Sequence, residues 1–240
     1  MSGIKEALEY VVGLRKPEIV SAGGEQYCDK ELHRISYNPK ARSIEMTTLT
    51  SLVEYIKANI DTMDDKMIVH VQSPTKVSLY SQLDDERERE FLVQVNAQVP
   101  EFVYGRYIGH ENFLIVLQSK FIDNPDRELL LKFAGTVESG TVAQYGDDGI
   151  TQKATIKTGI ASKGEAIVPN PVKLRPFRTF LEVEQPESAF VFRMQQDKDG
   201  GVSCAIFEAD GGAWKNAAMR NVKEYLQFEL ADMPQFTVIS

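Results

Sequence analysis

Cysteine, histidine and tryptophan are scarce in this chain, at two, three and one among 240 residues. Cys28 and Cys204 stand far apart, with no CxxC and no Cys/His spacing of the kind that forms a zinc site. Two isolated thiols predict free, buried cysteines in a reducing compartment rather than a disulfide framework. His33, His70 and His110 are scattered, and no HExxH, GxSxG or Walker pattern occurs. The signatures of zinc proteases, α/β-hydrolases and P-loop enzymes are therefore missing, and the expectation is no cofactor, no metal and no catalytic residue.

Long apolar runs are missing too. No stretch approaches the roughly 20 residues that span a bilayer, so no membrane partner is expected. The opening MSGIKEALEYVVGL is interrupted by acidic residues and does not read as a secretory leader. Positive charge is in deficit: 27 Lys and Arg against 35 Asp and Glu leave a net charge of −8. A protein that coats nucleic acid needs the opposite balance, although a local basic groove stays open. Neither a repeat of solenoid length nor a low-complexity tract occurs.

What is present is the composition of a folded protein, 42% hydrophobic and 26% charged. The length suits one large domain or two small ones. Residues 1–40 read as an N-terminal helix and arm, and residues 41–240 as an α+β globular domain. One reading of that domain divides it into subdomains 41–135 and 136–240.

Ile4, Leu8, Val11 and Val12 recur at helical spacing before Pro17. Leu49, Leu52, Val53, Ile56 and Ile60 form the clearest helical stripe, with Thr47 or Thr48 as its cap. Met67 to Val71, Val77 to Leu83 and Phe91 to Val95 read as strands. The mixed-charge block from Asp84 to Glu90 reads as a solvated loop. A helix is expected from His110 to Phe121, and a second after Asn124-Pro125, where Asn124 caps. Asp148-Gly149 predicts a hairpin turn between Thr141–Tyr145 and Ile150–Ile156, and Thr158-Gly159 and Lys163-Gly164 predict breaks after it. Trp214 to Leu230 reads as a helix, and Phe236 to Ile239 as a last strand.

The stretch from Leu174 to Gly212 is the most strongly patterned. Phe190, Phe192 and Met194 fall on one parity and mark a core-facing edge. Val202, Cys204 and Ile206 answer them beyond a polar, Gly-ended loop. Phe177, Thr179, Leu181 and Val183 alternate upstream and predict a further strand. The fold class expected is α+β: an antiparallel sheet core with packed helices, and a C-terminal β-meander followed by a helix.

The strings LRPFRTFLEVEQPESAFVFR (174–193) and FEADGGAWK (207–215) resemble the C-terminal part of the YfdQ-like family of phage and prophage proteins. The tract DDGITQKATIKTGIA (147–161) is similar to that family's middle region. The resemblance implies a phage origin, a cytoplasmic location in a bacterial host, and neighbours concerned with phage DNA replication or recombination. It carries over no catalytic residue.

Arg175, Arg178 and Arg193 sit among aromatic residues. Together with Phe180 and Trp214 they form a candidate binding surface for an anion or nucleic acid. The competing reading pairs the arginines with Glu182, Glu184 and Glu208 inside the sheet. The Gly211-Gly212 step could leave N–H groups free for an anion, or Asp210 or a glycine could cap the Trp214 helix. The expected function is self-assembly into a homo-oligomer. The alternatives are a binding partner of nucleic acid or a host protein in phage DNA transactions, and a protein that acts on or sequesters a nucleotide.

Overall fold

Period-two alternation builds the sheets of this protein, and leucine–isoleucine stripes build the helices behind them. The computed structural model describes residues 2–13, 17–30, 40–85, 87–136, 153–157, 163–167 and 170–240, with backbone alone for 153–157 and 163–167. The chain divides into two units, Met1–Lys40 and Ala41–Ser240.

The first unit holds α1 (Ser2–Gly13) and a hairpin of β1 (Ile19–Ala22) and β2 (Glu25–Cys28). Gly23 and Gly24 turn the hairpin at φ 65 and 87°, a two-residue loop that only glycine enters without strain. Asp29 closes it: its Oδ1 accepts from Glu18 N at 2.7 Å.

The second unit begins with β3 (Ile44–Met46) and α2 (Leu49–Ala58). Thr48 caps α2, its hydroxyl accepting from Ser51 N at 3.1 Å, and Asn59 ends it in the left-handed region. Then come β4 (Met67–Ser73), β5 (Lys76–Ser81), β6 (Phe91–Asn96) and β7 (Ile108–Gly109). The helices α3 (His110–Lys120) and α4 (Pro125–Thr136) pack on each other. Asn124 caps α4, accepting from Arg127 N at 2.8 Å. Next are β8 (Lys153–Lys157), β9 (Lys163–Ile167), β10 (Val172–Leu174), β11 (Ser188–Gln196) and β12 (Val202–Glu208). The chain ends with α5 (Ala213–Glu229) and β13 (Phe236–Ile239).

Two larger sheets result. The first runs β13-β4-β5-β6-β3. Its inner face carries Met67, Val69, Val71, Val77, Leu79, Val93 and Val95 under Leu52 and Ile56 of α2 and Val222 and Leu226 of α5. The second runs β10-β11-β12-β7 and turns Phe190, Phe192 and Met194 toward Phe113 and Leu117 of α3 and Leu130 of α4. Phe113 stacks on Phe192 at 5.4 Å between centroids.

The α+β class is observed, with four corrections of detail. The five-stranded sheet is mixed, because β13–β4 and β3–β6 pair in parallel. Parallel neighbours need a crossover, and helices stand on those paths. The strand expected from Phe177 to Val183 is absent, and β10 takes the third place in the meander. Lys163-Gly164 does not break a strand but opens β9, the antiparallel partner of β8. The Thr141–Tyr145 run lies outside the described residues. Finally, 41–135 and 136–240 do not close separate cores: Phe180, Val222 and Phe236 join the first sheet's core, while Val172, Phe190 and Ile206 complete the core of α3 and α4.

Candidate functional site

The loop between β10 and β11 explains where the candidate residues go. Its alternation mimics a strand, but a single buried amide organises it instead. The Gln185 Oε1 accepts from the backbone N–H groups of Arg178 and Thr179 at 3.0 and 3.1 Å. Its Nε2 donates to the carbonyls of Phe180 and Val183 at 2.8 and 3.3 Å. Gln185 thus supplies bonds that a neighbouring strand would otherwise have made. The Thr179 hydroxyl donates to the Pro74 carbonyl, tying the loop to the β4–β5 turn.

Arg178 emerges from this loop into the interior and is only 6% exposed. Its guanidinium donates to Glu208 Oε1 at 2.9 Å and to the Ser188 hydroxyl. It lies over the Trp214 ring at 3.9 Å from the centroid and 5.7 Å from that of Phe190. Burial lowers its pKa, opposed by Tyr104 and by the charges of Glu208 and Asp210. Burial likewise pushes the Tyr104 hydroxyl up to about 12, with Arg178 working against it. Among the described residues, Arg178 Nε and Trp214 Nε1 are buried without a hydrogen-bond partner.

Behind Arg178, the Ser188 hydroxyl donates to Asp210 Oδ2 at 2.7 Å. Asp210 Oδ1 accepts from Gly212 N at 3.0 Å, and the carboxylate also accepts from the Trp214 backbone N–H. Burial raises the Asp210 pKa, but these bonds and Arg178 outweigh it, and the net shift is downward. Asp210 therefore occupies the positive end of α5 that an external anion would need. Gly211 and Gly212 adopt φ 63 and 82°, turning the chain from β12 into α5.

A cleft of about 300 Å³ opens beside this cluster, lined by Lys173, Glu187, Ser188, Asp210 and Trp214 among others. Its charged rim is internally paired: Lys173 Nζ lies 3.6 Å from Glu187. Arg175 pairs with Glu184 at 3.1 Å and with Glu187 at 3.7 Å.

Only part of the expected binding surface comes together. Arg178 and Trp214 are in contact, whereas Arg175 is paired with Glu184 and Glu187. Phe180 is buried in the core of the first sheet and offers no face for base stacking. Arg193 lies on the opposite parity of β11, its Nη1 3.4 Å from the Phe192 carbonyl and its register partner Ala205. Glu182 accepts instead from Thr50 N at 3.2 Å. The partners that sequence reading missed are Tyr104, Ser188 and Gln185. Nothing local marked them, because each acts across a turn or between elements.

Chemically, the two Arg178 Nη groups are committed, while Arg178 Nε and Trp214 Nε1 stay buried without a partner among the described residues. Both Nη groups of the guanidinium are bonded, to Glu208 and Ser188, and the free Nε is buried with Ser188 away from solvent, so no bidentate fork is presented to a phosphate at the surface. Among the described residues, no group of three or more His, Cys, Asp or Glu is placed to hold a metal ion. No described helix is long and apolar enough to cross a membrane. No family model matches the chain, and neither a curated protein nor a solved structure matches it.

Proposed function

We propose that this protein works by assembling with copies of itself through its N-terminal unit. One observation carries the reading. Every residue of that unit from Gly3 to Gly13 and from Pro17 to Asp29 is exposed, including Ile4 at 72%, Leu8 at 59% and Val11 at 57%. A 12-residue helix is marginal in water without a surface to pack on. Covering each of those aliphatic side chains is worth about 1.5–3 kcal/mol.

A second copy suits this face. Two antiparallel copies of α1 can share one Ile4–Leu8–Val11 stripe, as closed homo-oligomers do. The inward-turned charges around Arg178 support a structural rather than a chemical role for the second unit. The phage origin and bacterial cytoplasmic location belong to the same proposal and rest on the resemblance of residues 174–193 and 207–215 to the YfdQ-like family.

Light scattering of the full chain at micromolar concentration tests the proposal. The expected mass is a multiple of 27.0 kDa, reduced to one chain by Ile4→Glu with Leu8→Glu. A wild-type protein of one chain mass overturns it, as does a double variant that assembles like the wild type.

A further inference from the structure

We propose that the N-terminal unit meets a second copy along the outer edge of β1, so that two β1–β2 hairpins form one four-stranded antiparallel sheet. The pairing rests on the self-assembly proposed above and names its contact. A lone two-stranded hairpin is marginal in water, because independent stability needs a third strand or a packed face. Neither is supplied within the described residues: β1 and β2 pair only with each other, and Ile19, Val20 and Tyr27 are 61, 52 and 55% exposed. Another edge of this protein is closed by its own side chains. On β10 the Lys173 N–H donates to Asp126 Oδ2 at 2.6 Å, and the Lys173 carbonyl accepts from Asn124 Nδ2 at 2.9 Å. Among the described residues, nothing does this for β1.

The hairpin's own register selects the edge and the alignment. Asp29 N donates to Glu18 O at 3.2 Å, so Glu18–Asp29 is a hydrogen-bonded pair, and alternation makes Val20–Tyr27 and Ala22–Glu25 bonded pairs too. Ile19 and Ser21 therefore turn their N–H and C=O groups outward from β1, and Gln26 and Cys28 do so from β2. A twofold axis at Val20 sets Ile19 of each copy against Ser21 of the other, and each such pair exchanges both backbone bonds. No like charges are opposed, since Glu18 then faces Ala22 of the other copy. The same operation on β2, about Tyr27, sets Glu25 against Asp29 of the other copy twice over, and opposed like charges destabilise a strand pair. The edge that pairs with itself is thus β1. Val20 and Tyr27 are register partners, so the two copies line up Tyr27, Val20, Val20 and Tyr27 as one apolar row across four strands. An antiparallel β1 pair and an antiparallel α1 pair are each twofold, so one axis suits both.

Cross-linking of the full chain tests the inference. In the paired sheet the two Val20 residues form a non-hydrogen-bonded pair, about 4.5 Å apart at Cα and within disulfide range. Val20→Cys in a Cys28→Ser background is expected to cross-link to the double mass when oxidised with diamide, which takes up the two thiol hydrogens. Ala22→Cys in the same background should not cross-link, since four residues of strand, about 13 Å, separate it from its copy. Tyr27→Cys should not either, because three strand spacings, about 14 Å, lie between the two. Ser21→Pro removes an outward N–H that the hairpin itself does not use, and is expected to weaken assembly at least ten-fold by light scattering. If the proline disturbs the hairpin, the cysteine variants, which keep every N–H, decide. Failure of Val20→Cys to cross-link in a protein that assembles, or faster cross-linking by Tyr27→Cys, overturns this inference and leaves self-assembly standing. A wild-type protein of one chain mass overturns both.

Discussion

The Arg178 guanidinium carbon lies 3.9 Å from the centroid of the Trp214 ring, so the start of α5 is held against β11 and β12 through one buried cation. Arg178 is reached from the Gln185-bound loop, which itself sends Phe180 into the other core. It therefore links two sets of packed residues. Arg178→Ala removes a donor from the buried Ser188 and the cation from the Trp214 ring, at about 1–3 kcal/mol, while the exposed Glu208 carboxylate turns to water. Arg178→Lys keeps the charge but not the fork, and should fall between wild type and alanine. Because Trp214 is the sole tryptophan, urea unfolding followed by its fluorescence reports directly on this contact. An Arg178→Ala midpoint equal to wild type would remove the linking role.

Gln185 is expected to matter as much as many core residues. It is buried, with its amide bonded at both ends within the loop. Gln185→Ala orphans the N–H groups of Arg178 and Thr179, at about 1–3 kcal/mol for each group left unsatisfied. Amide hydrogen exchange should show the 178–183 segment opening first. Unaltered protection there would mean that the loop is held by Thr179 and Phe180 rather than by Gln185.

The sequence made some of this visible and hid the rest for a physical reason. Helix α2 was legible from its stripe and its Thr48 cap, and β11 from Phe190, Phe192 and Met194, because local period and burial agree there. A cap for α5 from Asp210 or a glycine was also foreseeable, and both take part: Gly212 is the N-cap and Asp210 accepts from the Gly212 and Trp214 N–H groups. Phe177 to Val183 deceived because a loop whose side chains alternate between a core and solvent carries the same pattern as a strand. Its true organiser, Gln185, is a polar residue whose role appears only when its four partners fold around it. Tyr104 sits far upstream of Arg178 in sequence, and no periodicity connects them. The parallel edges β3 and β13 are likewise products of chain return, which residue patterns do not encode.

Asp210 should make stability sensitive to acid. Although burial raises its pKa, the bonds from Ser188, Gly212 and Trp214 and the charge of Arg178 carry the folded value below the ordinary one. A depressed folded pKa gives stability that is present above the unfolded value, near 3.9. That stability is lost as pH falls through the folded value. Asp210→Asn keeps an acceptor for the α5 end but does not titrate. The gap in stability between wild type and Asp210→Asn should therefore be wide at pH 6 and shrink toward pH 3. A gap that stays constant across this range would show that the carboxylate's charge does not support the fold.

The two thiols should separate cleanly by reactivity. Cys28 is exposed on β2, whereas Cys204 is buried among Met194, Ile206 and the α3 side chains. Burial, and then the charge of Asp197, pushes the Cys204 thiol from its ordinary value of 9.0 up to about 12. Attack on a disulfide reagent needs the thiolate, so Cys204 is protected by both access and ionisation. At pH 8 one thiol per chain should react quickly with an aromatic disulfide, and the second only in denaturant. Cys28→Ser should abolish the fast phase. The same shift sets a sign at high pH. The folded pKa is raised, so this contribution to stability is complete below about 9 and is lost as pH climbs toward about 12. Cys204→Ala would flatten that alkaline decline. Two fast thiols in the native protein would mean that β12 is not covered by α3 at Cys204.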